Sequence, residues 1–326
     1  MLPFLKKFFI DDPIARTKKV YFWLFNFIGQ RFPILSILFH YLYVLRQLQI
    51  GKDGRVEMVQ VISEFVHGCN LRCEFCFFFS PYQKGFVPAD ELLASYRQWG
   101  KKIKPKYFIL SGGEPFLHPE LVRILRTSAE IWSGSKLWIT TNGLLLDRVK
   151  PDVLQAVKET GWELIISEHT FVPKHRKKLD AGYARLRQAG IPFVVRPSSS
   201  TWLVCYQYDE KGSIVPFKSN PQKAWDCCTS RHCVTIIGES LYKCSRLSHF
   251  WVAAQKGILD AEAWKAALTY QPLTLQSTPE AIVEHLRRCA VPECTVCLGK
   301  PVFVSARQLP LPKNEPIEPM QTVDTG

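Results

Sequence analysis

Apolar and polar positions follow two alternating patterns between residues 59 and 196. Short apolar runs typical of buried strands are separated by stretches in which apolar residues recur at helical spacing. The predicted strands cover residues 59–66, 106–110, 136–140, 162–167 and 191–196, and residues 201–208 are the candidate for a sixth. Strands that alternate with helices form parallel βαβ units. We therefore predict an α/β fold, a partial parallel TIM-like barrel of five or six strands with ligands at the carboxyl ends of its strands.

Three helices between these strands have recognisable starts. Helix-start signals occur at Asp90, Pro119 and Asp147. In the second helix, Leu121, Leu125 and Trp132 recur at helical spacing. This spacing predicts the face that packs against the sheet.

The first 58 residues are basic, aromatic and very apolar, unlike the rest of the chain. Arg31 and Pro33 interrupt the apolar run, so two shorter helices fit better than one helix that spans a membrane. No small-residue cleavage site follows, and we expect no secretory signal. Two interpretations stay open: attachment of residues 1–50 to the surface of an anionic membrane, or a helical extension packed on the barrel or on a partner.

Composition narrows the class of protein. With 326 residues, of which 47% are hydrophobic, the chain can bury a full core. Its 11 cysteines favour metal ligation in a reducing compartment over disulfides, so we expect a cytoplasmic protein. If the protein attaches to a membrane, we expect the attachment to be peripheral. The net charge of +13 comes from lysines and arginines that are scattered along the chain. The sequence contains no recognisable nucleic-acid-binding module, so we expect no nucleic-acid partner.

Three cysteines follow the first predicted strand, Cys69, Cys73 and Cys76, at CxxxCxxC spacing. Thiolates at this spacing can each hold one iron of a 4Fe-4S cluster. No fourth cysteine follows nearby, which leaves one iron open for a ligand from outside the protein. The alternative, a structural zinc knuckle, needs four ligands with a paired spacing that this loop does not provide. The loop thus predicts a cluster that takes part in chemistry.

This loop resembles the signature of the radical SAM superfamily, in which S-adenosylmethionine binds the open iron. Phe75 matches the aromatic residue that the family places beside the adenine. The resemblance implies further cofactor contacts at the ends of the second to fifth strands, from Gly112, Gly113, Glu114 and Pro115 of a GGEP motif, from Asn142 of a TNG-like turn, and from Ser167, Glu168 and Arg196. Glu114 would contact the ammonium group, and His169 could instead meet the substrate.

Cysteines return after residue 200 in a pattern that resembles the auxiliary-cluster domains called SPASM and, in the short form that we favour, twitch. The resemblance implies a second 4Fe-4S cluster on Cys228, Cys244, Cys294 and Cys297, with a hairpin turn at Gly238. Cys227 or Cys233 could replace Cys228, and zinc could occupy the same thiolates. Cys205, Cys233 and Cys289 are candidate hydrogen donors or buried structural thiols.

These features predict four segments: a helical extension (1–58), the radical SAM partial barrel (59–210), a small cysteine-rich α+β auxiliary domain (211–302) and a flexible tail (303–326). The resemblance implies an enzyme that cleaves S-adenosylmethionine to a 5′-deoxyadenosyl radical, with a reductant such as flavodoxin or ferredoxin. We expect oxidation or epimerisation of a sugar, cyclitol or glycan precursor. The alternatives are peptide maturation, RNA modification, or a non-enzymatic iron-sulfur or zinc protein.

Overall fold

The computed structural model describes residues 46–169, 173–197, 201–228, 230–231, 233–300, 302–305 and 309. Most of the N-terminal extension and nearly all of the proposed tail lie outside these ranges, as does any membrane attachment through residues 1–45. Within the ranges, no helix combines the length and the apolar character that crossing a membrane requires.

A mostly parallel sheet forms the centre of the fold. The strands are β1 (Gln49–Ile50), β2 (Val56–Val66), β3 (Ile103–Gly112), β4 (Lys136–Thr141), β5 (Glu163–Glu168), β6 (Phe193–Pro197), β7 (Thr201–Leu203), β8 (Gln207–Tyr208), β9 (Ile214–Val215), β10 (Thr235–Ile237), β11 (Ser240–Tyr242), β12 (Leu273–Thr274) and β13 (Phe303–Ser305). The main sheet has the order β12-β11-β10-β2-β3-β4-β5-β6, and β1 pairs with β2. From β2 to β6 all neighbours are parallel, which confirms the predicted α/β partial barrel.

Helices connect these strands and cover the sheet. They are α1 (Ala89–Gly100), α2 (Leu121–Ile131), α3 (Pro151–Thr160), α4 (Pro173–Ala189), α5 (Pro221–Asp226), α6 (Ser245–Gln255), α7 (Lys265–Leu268) and α8 (Pro279–Arg287). Asp90 lies in the first turn of α1, as predicted. Leu121 and Leu125 on α2 and Trp132 at its C-cap are buried, which confirms the predicted inner face.

The third helix begins later than the sequence predicts. Asp147 does not open it, because turns closed by Leu146 N–H to Gly143 O and by Arg148 N–H to Leu145 O occupy that segment. The helix begins at Pro151, whose fixed φ suits the first helical position. The prediction at Asp147 was therefore wrong by four residues.

Residues 201–208 do not form the sixth strand of the sheet. They contain two short strands, β7 and β8, which pair with β13 and β9 respectively, away from the main sheet. Between them Cys205 and Tyr206 are buried in a second core with Phe250 and Trp264, so the chain turns away from the sheet there. The place beside β2 is taken by β10, which pairs in parallel with Thr235 opposite Ile62.

The predicted hairpin at Gly238 is present and carries the C-terminal part of the chain onto the barrel sheet. Gly238 has a positive φ of 52° in the turn between β10 and β11, a conformation that glycine adopts without steric cost. Ser95 Oγ and Trp99 Nε1 of α1 donate to the Gly238 carbonyl at 2.6 and 3.2 Å. One sheet therefore joins the barrel strands to the region between the C-terminal cysteines.

Candidate cofactor site

The end of β3 lies directly against the loop that leads into the first cysteines. Gly113 N–H donates to Val66 O at 2.6 Å, and Glu114 N–H donates to Gly68 O at 3.0 Å. A Cβ atom on Gly112 would lie 2.4 Å from Val66 O, and one on Gly113 would lie 2.0 Å from Gly68 O. Only glycine permits this approach at either position, so the two glycines of the GGEP motif fix the cysteine loop on the sheet.

Glu114 connects the ends of β3 and β4. Its carboxylate is fully buried and accepts hydrogen bonds from Thr141 Oγ1 at 2.7 Å, from Asn142 N–H at 2.9 Å and from Phe116 N–H at 3.2 Å. Burial raises its pKa to about 7, although these three donors oppose the shift. Its oxygens therefore have partners within the protein, and its contact with the ammonium group of S-adenosylmethionine stays a prediction.

Asn142 continues this connection to the first cysteine. Its Nδ2 donates to Asn70 Oδ1 at 2.7 Å and lies 3.6 Å from Cys69 Sγ, toward which Leu71 N–H also points at 3.4 Å. Residues predicted from three separate motifs are thus in one hydrogen-bonded chain from β3 through β4 to Cys69. Amide donors around a sulfur stabilise its thiolate form, the form that binds iron.

The cysteine loop surrounds its third sulfur with donors in the same way. N–H groups of Ser80, Phe78 and Phe79 hydrogen-bond to Cys76, and although burial raises the pKa of this thiol, these bonds lower it. Cys73 is buried, and its carbonyl accepts from Cys76 N–H at 3.2 Å. Phe75 has a left-handed backbone, with φ of 57°, which bends the loop between them. These thiols and donors fit a thiolate-bound cluster.

In the described ranges no three His, Cys, Asp or Glu side chains already stand in metal-ligand geometry. The backbone carries the three candidate ligands of the first set, Cys69, Cys73 and Cys76, on one short loop.

Phe75 links the loop to the C-terminal half of the chain. Its ring centroid lies 5.4 Å from that of Tyr206 and 5.5 Å from that of Tyr208. The Tyr208 hydroxyl is 2.9 Å from the hydroxyl of Tyr82. The aromatic residue predicted to lie beside the adenine is thus packed on tyrosines, and its adenine contact stays a prediction.

The remaining predicted contacts lie at the ends of β5 and β6. Ser167 and Arg196 are paired in register on these strands. Glu168 Oε1 accepts from Arg176 Nη1 at 2.5 Å and from Tyr183 at 3.1 Å, so its charge is shared with α4. Burial lowers the pKa of His169 to about 4, which keeps that imidazole neutral near neutral pH.

The second cysteine set, which we define as Cys228, Cys244, Cys294 and Cys297, is brought together by the tertiary structure. The pKa of Cys244 is raised first by burial and then by the neighbouring sulfurs of the other three. Cys244 is the N-cap of α6, and Cys297 N–H donates to Cys294 O at 3.0 Å. Of the possible replacements, Cys227 Sγ points to Gly299 O at 3.4 Å, and Cys233 Sγ accepts from Gln60 Nε2 at 3.7 Å.

Three buried cations surround this set, and the sequence interpretation missed them. Arg231, Lys243 and Arg246 are 8%, 6% and 7% exposed. Burial lowers the pKa of Arg246, but the sulfurs of Cys228, Cys297 and Cys205 raise it above its usual range. Each cation lies within three positions of a cysteine in the sequence, which is the signal that could have identified it.

A polar cavity near the first cysteines was also missed. His249 on α6 hydrogen-bonds through Nε2 to Glu64 Oε1 on β2, and the Phe78 ring packs on its imidazole at 4.7 Å. His67 Nε2, Gln83 Oε1 and His249 Nδ1 are buried without a hydrogen-bond partner, and all three residues line this cavity. Because Glu64 and His249 are far apart in sequence, no local pattern could have revealed this pair.

Comparison with known proteins identifies the region that contains the hydrogen-bonded chain from Glu114 through Asn142 to Cys69. Residues 63–192 match the family described as the radical SAM superfamily. This part of the chain is a radical SAM domain. The domain includes Cys69, Glu114 and Asn142, and the match ends before Arg196 and before the second cysteine set. The family implies that the domain binds a 4Fe-4S cluster and S-adenosylmethionine.

The radical SAM domain is also similar to curated enzymes over part of their length. A GTP 3′,8-cyclase from Microcystis aeruginosa is 34% identical over 95 residues, which cover 27% of this chain and 28% of the cyclase. A 7-carboxy-7-deazaguanine synthase from Aquifex aeolicus is 33% identical over 106 residues, which cover 32% of this chain and 47% of the synthase. The chain therefore matches less than half the length of either relative.

Solved structures are similar to this chain only at low TM-scores. BtrN in an open conformation has a TM-score of 0.40 and 15% identity, over 73% of this chain and 89% of BtrN. Native anSMEcpe, with bound AdoMet and the Cp18Cys peptide, has a TM-score of 0.35 and 17% identity, over 42% of each chain. Scores this low carry no information about the substrate of this chain.

Proposed function

We propose that this chain is a radical SAM enzyme that reductively cleaves S-adenosylmethionine and takes hydrogen from a small polar substrate, a sugar, cyclitol or glycan precursor, in an oxidation or an epimerisation. The observation that supports this most is the hydrogen-bonded chain from Glu114 through Asn142 to Cys69 within the radical SAM domain. The cofactors, when bound, would supply a 5′-deoxyadenosyl radical, and the protein would position the substrate and exclude water.

Residues of this chain have distinct roles in the proposal. Cys69, Cys73 and Cys76 hold the cluster, and the Gly112–Gly113 segment brings main-chain groups close to the cofactor. In this proposal Ser167 and Arg196 bind its polar groups, which their pairing in register at the ends of β5 and β6 supports. A reductant such as flavodoxin or ferredoxin supplies the electron.

Of the candidate hydrogen donors Cys233 and Cys205, Cys233 has the surroundings that better suit an active-site thiol. The residue is half-buried, its sulfur accepts from Gln60 Nε2, and the desolvated thiol has a raised pKa, on which the charges of Arg196 and Glu64 also act. Cys205 is buried, and its sulfur points toward Phe75 O at 4.0 Å. We therefore assign the donor role to Cys233 if the reaction is an epimerisation.

We further propose that residues 211–302 form an auxiliary domain whose second cysteine set binds another 4Fe-4S cluster. The clustering of four sulfurs with the three buried cations supports this assignment, because buried positive charge needs compensating negative charge. Zinc on the same thiolates would satisfy that requirement equally, so metal analysis has to distinguish the two.

The deciding experiment combines product formation with metal content. Anaerobically reconstituted wild-type protein with dithionite should form 5′-deoxyadenosine and carry about eight irons, whereas the variant with Cys69→Ala, Cys73→Ala and Cys76→Ala should form none and retain about four. Wild-type rates in this variant would refute the assignment of the first cluster. One zinc and no iron in the variant would refute the second cluster.

The substrate is found by following 5′-deoxyadenosine with candidate glycans, cyclitols and precursor peptides. GTP belongs in the same panel because the relatives include enzymes named GTP 3′,8-cyclase. A true substrate should raise the yield of 5′-deoxyadenosine. When it is supplied deuterated at the reacting carbon, it should also transfer that deuterium into 5′-deoxyadenosine. Deuterium transfer from GTP alone would replace the proposed substrate class with a purine nucleotide.

Attachment to a membrane surface is part of the proposal for residues 1–50, whose basic and aromatic composition supports it. Full-length protein should sediment with vesicles of anionic lipid, and protein that lacks these residues should stay in solution. Equal sedimentation of both forms would exclude this role for the segment.

A further inference from the structure

The cavity between β2, the first cysteine loop and α6 is lined by polar atoms that lack protein partners. His67 Nε2, Gln83 Oε1 and His249 Nδ1 are buried there, and none of them has a hydrogen-bond partner among the residues that the structure describes. His249 as a whole is only 3% exposed. Burying polar atoms without partners is unfavourable, and a ligand that pairs with all three removes this cost. The three atoms therefore point to a ligand.

The orientation of Gln83 leaves an acceptor facing the cavity. The main chain holds its segment against the end of β2, because Gly85 O accepts from His67 N–H at 2.9 Å and from Gly68 N–H at 3.2 Å. Gln83 Nε2 donates to Phe78 O. This bond uses the donor end of the amide, so the end that remains for the cavity is the carbonyl oxygen Oε1, which accepts.

The orientation of His249 presents a second acceptor. Its Nε2 hydrogen-bonds to Glu64 Oε1 on β2, and the Phe78 ring packs on the imidazole with 4.7 Å between the ring centroids. A carboxylate oxygen accepts, so Nε2 carries the proton of this bond and Nδ1 of the neutral imidazole presents a lone pair. The third atom, His67 Nε2, donates or accepts according to the tautomer of its ring.

The charges around the cavity favour a neutral ligand. Glu64 lines the cavity, and its carboxylate repels an anion. Lys256, the C-cap residue of α6, lies one turn beyond the lining residue Val252 and donates its N–H to Val252 O at 3.2 Å. The buried Lys256 Nζ has no hydrogen-bond partner within the described part of the chain, and its ammonium repels a metal ion or another ammonium group.

The size of the cavity narrows the ligand further. It offers about 10 Å³ to the centre of a water molecule, which is enough for one group of that size. A hydroxyl group meets the requirements of size, charge and polarity together, because it is neutral, donates to an acceptor such as Gln83 Oε1 or His249 Nδ1, and accepts from His67 Nε2. A water molecule meets them as well and can donate to both acceptors at once.

We propose that this cavity is a binding site for one hydroxyl group, which hydrogen-bonds to His67, Gln83 and His249. A water molecule supplies the group in the free protein. A hydroxyl group of a sugar or cyclitol replaces this water when the substrate binds, and this second part rests on the proposed function. The cavity lies at the carboxyl end of β2, which is the edge where parallel barrels bind their ligands.

The first test is a high-resolution crystal structure of the full chain, reconstituted anaerobically and crystallised without added polyols. We expect one water molecule within hydrogen-bond distance of Gln83 Oε1, His249 Nδ1 and His67 Nε2. Pairing of these atoms with protein groups, or an anion or an anomalously scattering metal ion in the cavity, overturns the inference. The wild-type structure therefore decides the matter even if a variant fails to fold.

Substitution of Gln83 tests the contact that defines the site. Gln83→Met removes the acceptor oxygen at similar side-chain length and should remove the bound water. Gln98→Met is the matched control, because Gln98 lies on the exposed face of α1 and its replacement should leave the water in place. A water that keeps its position and occupancy in Gln83→Met contradicts the proposed contact and overturns the inference.

The second test distinguishes the two sources of the hydroxyl group. It uses the compound of the substrate panel that transfers deuterium into 5′-deoxyadenosine. A hydroxyl oxygen of that compound at the position of the water supports the substrate part, and the KM for the compound should then rise about three- to tenfold in Gln83→Met and stay at the wild-type value in Gln98→Met. Water that stays in place beside the bound compound overturns the substrate part.

The two tests also separate this inference from the proposed function. If no compound of the panel transfers deuterium, the proposed reaction is wrong, while the water in the wild-type structure still supports the hydroxyl site. If a compound reacts but the cavity holds neither its hydroxyl group nor a water, the proposed reaction stands and the hydroxyl site is overturned.

Discussion

The main-chain N–H of Asn142 donates to Glu114 Oε2 at 2.9 Å, and this bond joins the end of β4 to the end of β3. Glu114→Gln keeps the size of the side chain but replaces one acceptor oxygen with a donor. A buried donor then loses its partner, which should lower the free energy of unfolding by about 1–3 kcal/mol. Urea unfolding measures this, and formation of 5′-deoxyadenosine should fall in parallel.

The control for that change is Glu120→Gln. The Glu120 side chain is 45% exposed and pairs with Arg123, so its replacement should alter stability by no more than about 0.5 kcal/mol. Equal effects of the two substitutions would contradict the connecting role of Glu114.

Stability should also depend on pH through Glu114. Because burial raises its pKa from 4.5 to about 7, the folded protein binds more protons than the unfolded chain between these values. The free energy of unfolding should therefore fall as pH rises through about 7, by up to about 3 kcal/mol from this group. The effect is isolated by subtracting the free energy of unfolding of Glu114→Gln from that of the wild type, measured in metal-free protein from pH 5 to 8 (about the range of the titration). This difference should fall as pH rises, and a difference that grows with pH would contradict the prediction.

Gly113→Ala should separate the cysteine loop from the sheet. The added Cβ would lie 2.0 Å from Gly68 O, a backbone atom that cannot move aside without shifting the loop. We expect a loss of about 1–3 kcal/mol in stability and loss of iron from the first site.

Gly212→Ala provides the comparison for Gly113. Gly212 has a φ of 80° and open space around it, so alanine there introduces backbone strain of about 1–2 kcal/mol without a clash. Iron content and 5′-deoxyadenosine formation should stay at wild-type levels. If Gly113→Ala also keeps its iron at the first site, close approach of β3 is not required for cluster binding.

The pair of Glu64 and His249 should behave as one coupled unit. His249→Ala leaves the buried Glu64 carboxyl without this partner, and Glu64→Gln alters the other side of the same bond. Each single change should cost about 1–3 kcal/mol, and the double variant should cost less than their sum. Additive losses in a double-mutant cycle of urea unfolding would show that the two side chains are not coupled.

The order of the barrel strands could be predicted from the sequence because its signals are local. Apolar runs alternate with helical spacing along the chain, and β2 to β6 pair in sequence order, so each strand needs information only from its neighbours. The cysteine loop and the GGEP motif follow their strands directly. Parallel strands bring these ends to one edge, which is why Cys69, Glu114 and Asn142 were predicted together.

The tertiary structure alone decided the contacts between distant segments. The strand beside β2 is β10 rather than residues 201–208, because burial of Cys205 and Tyr206 in a separate core outweighs local strand propensity. Tertiary packing likewise decided the pairing of Glu64 with His249, 185 positions away, and the burial of Arg246 near Cys297. Local patterns show which residues can be buried, whereas three-dimensional packing determines which of them meet.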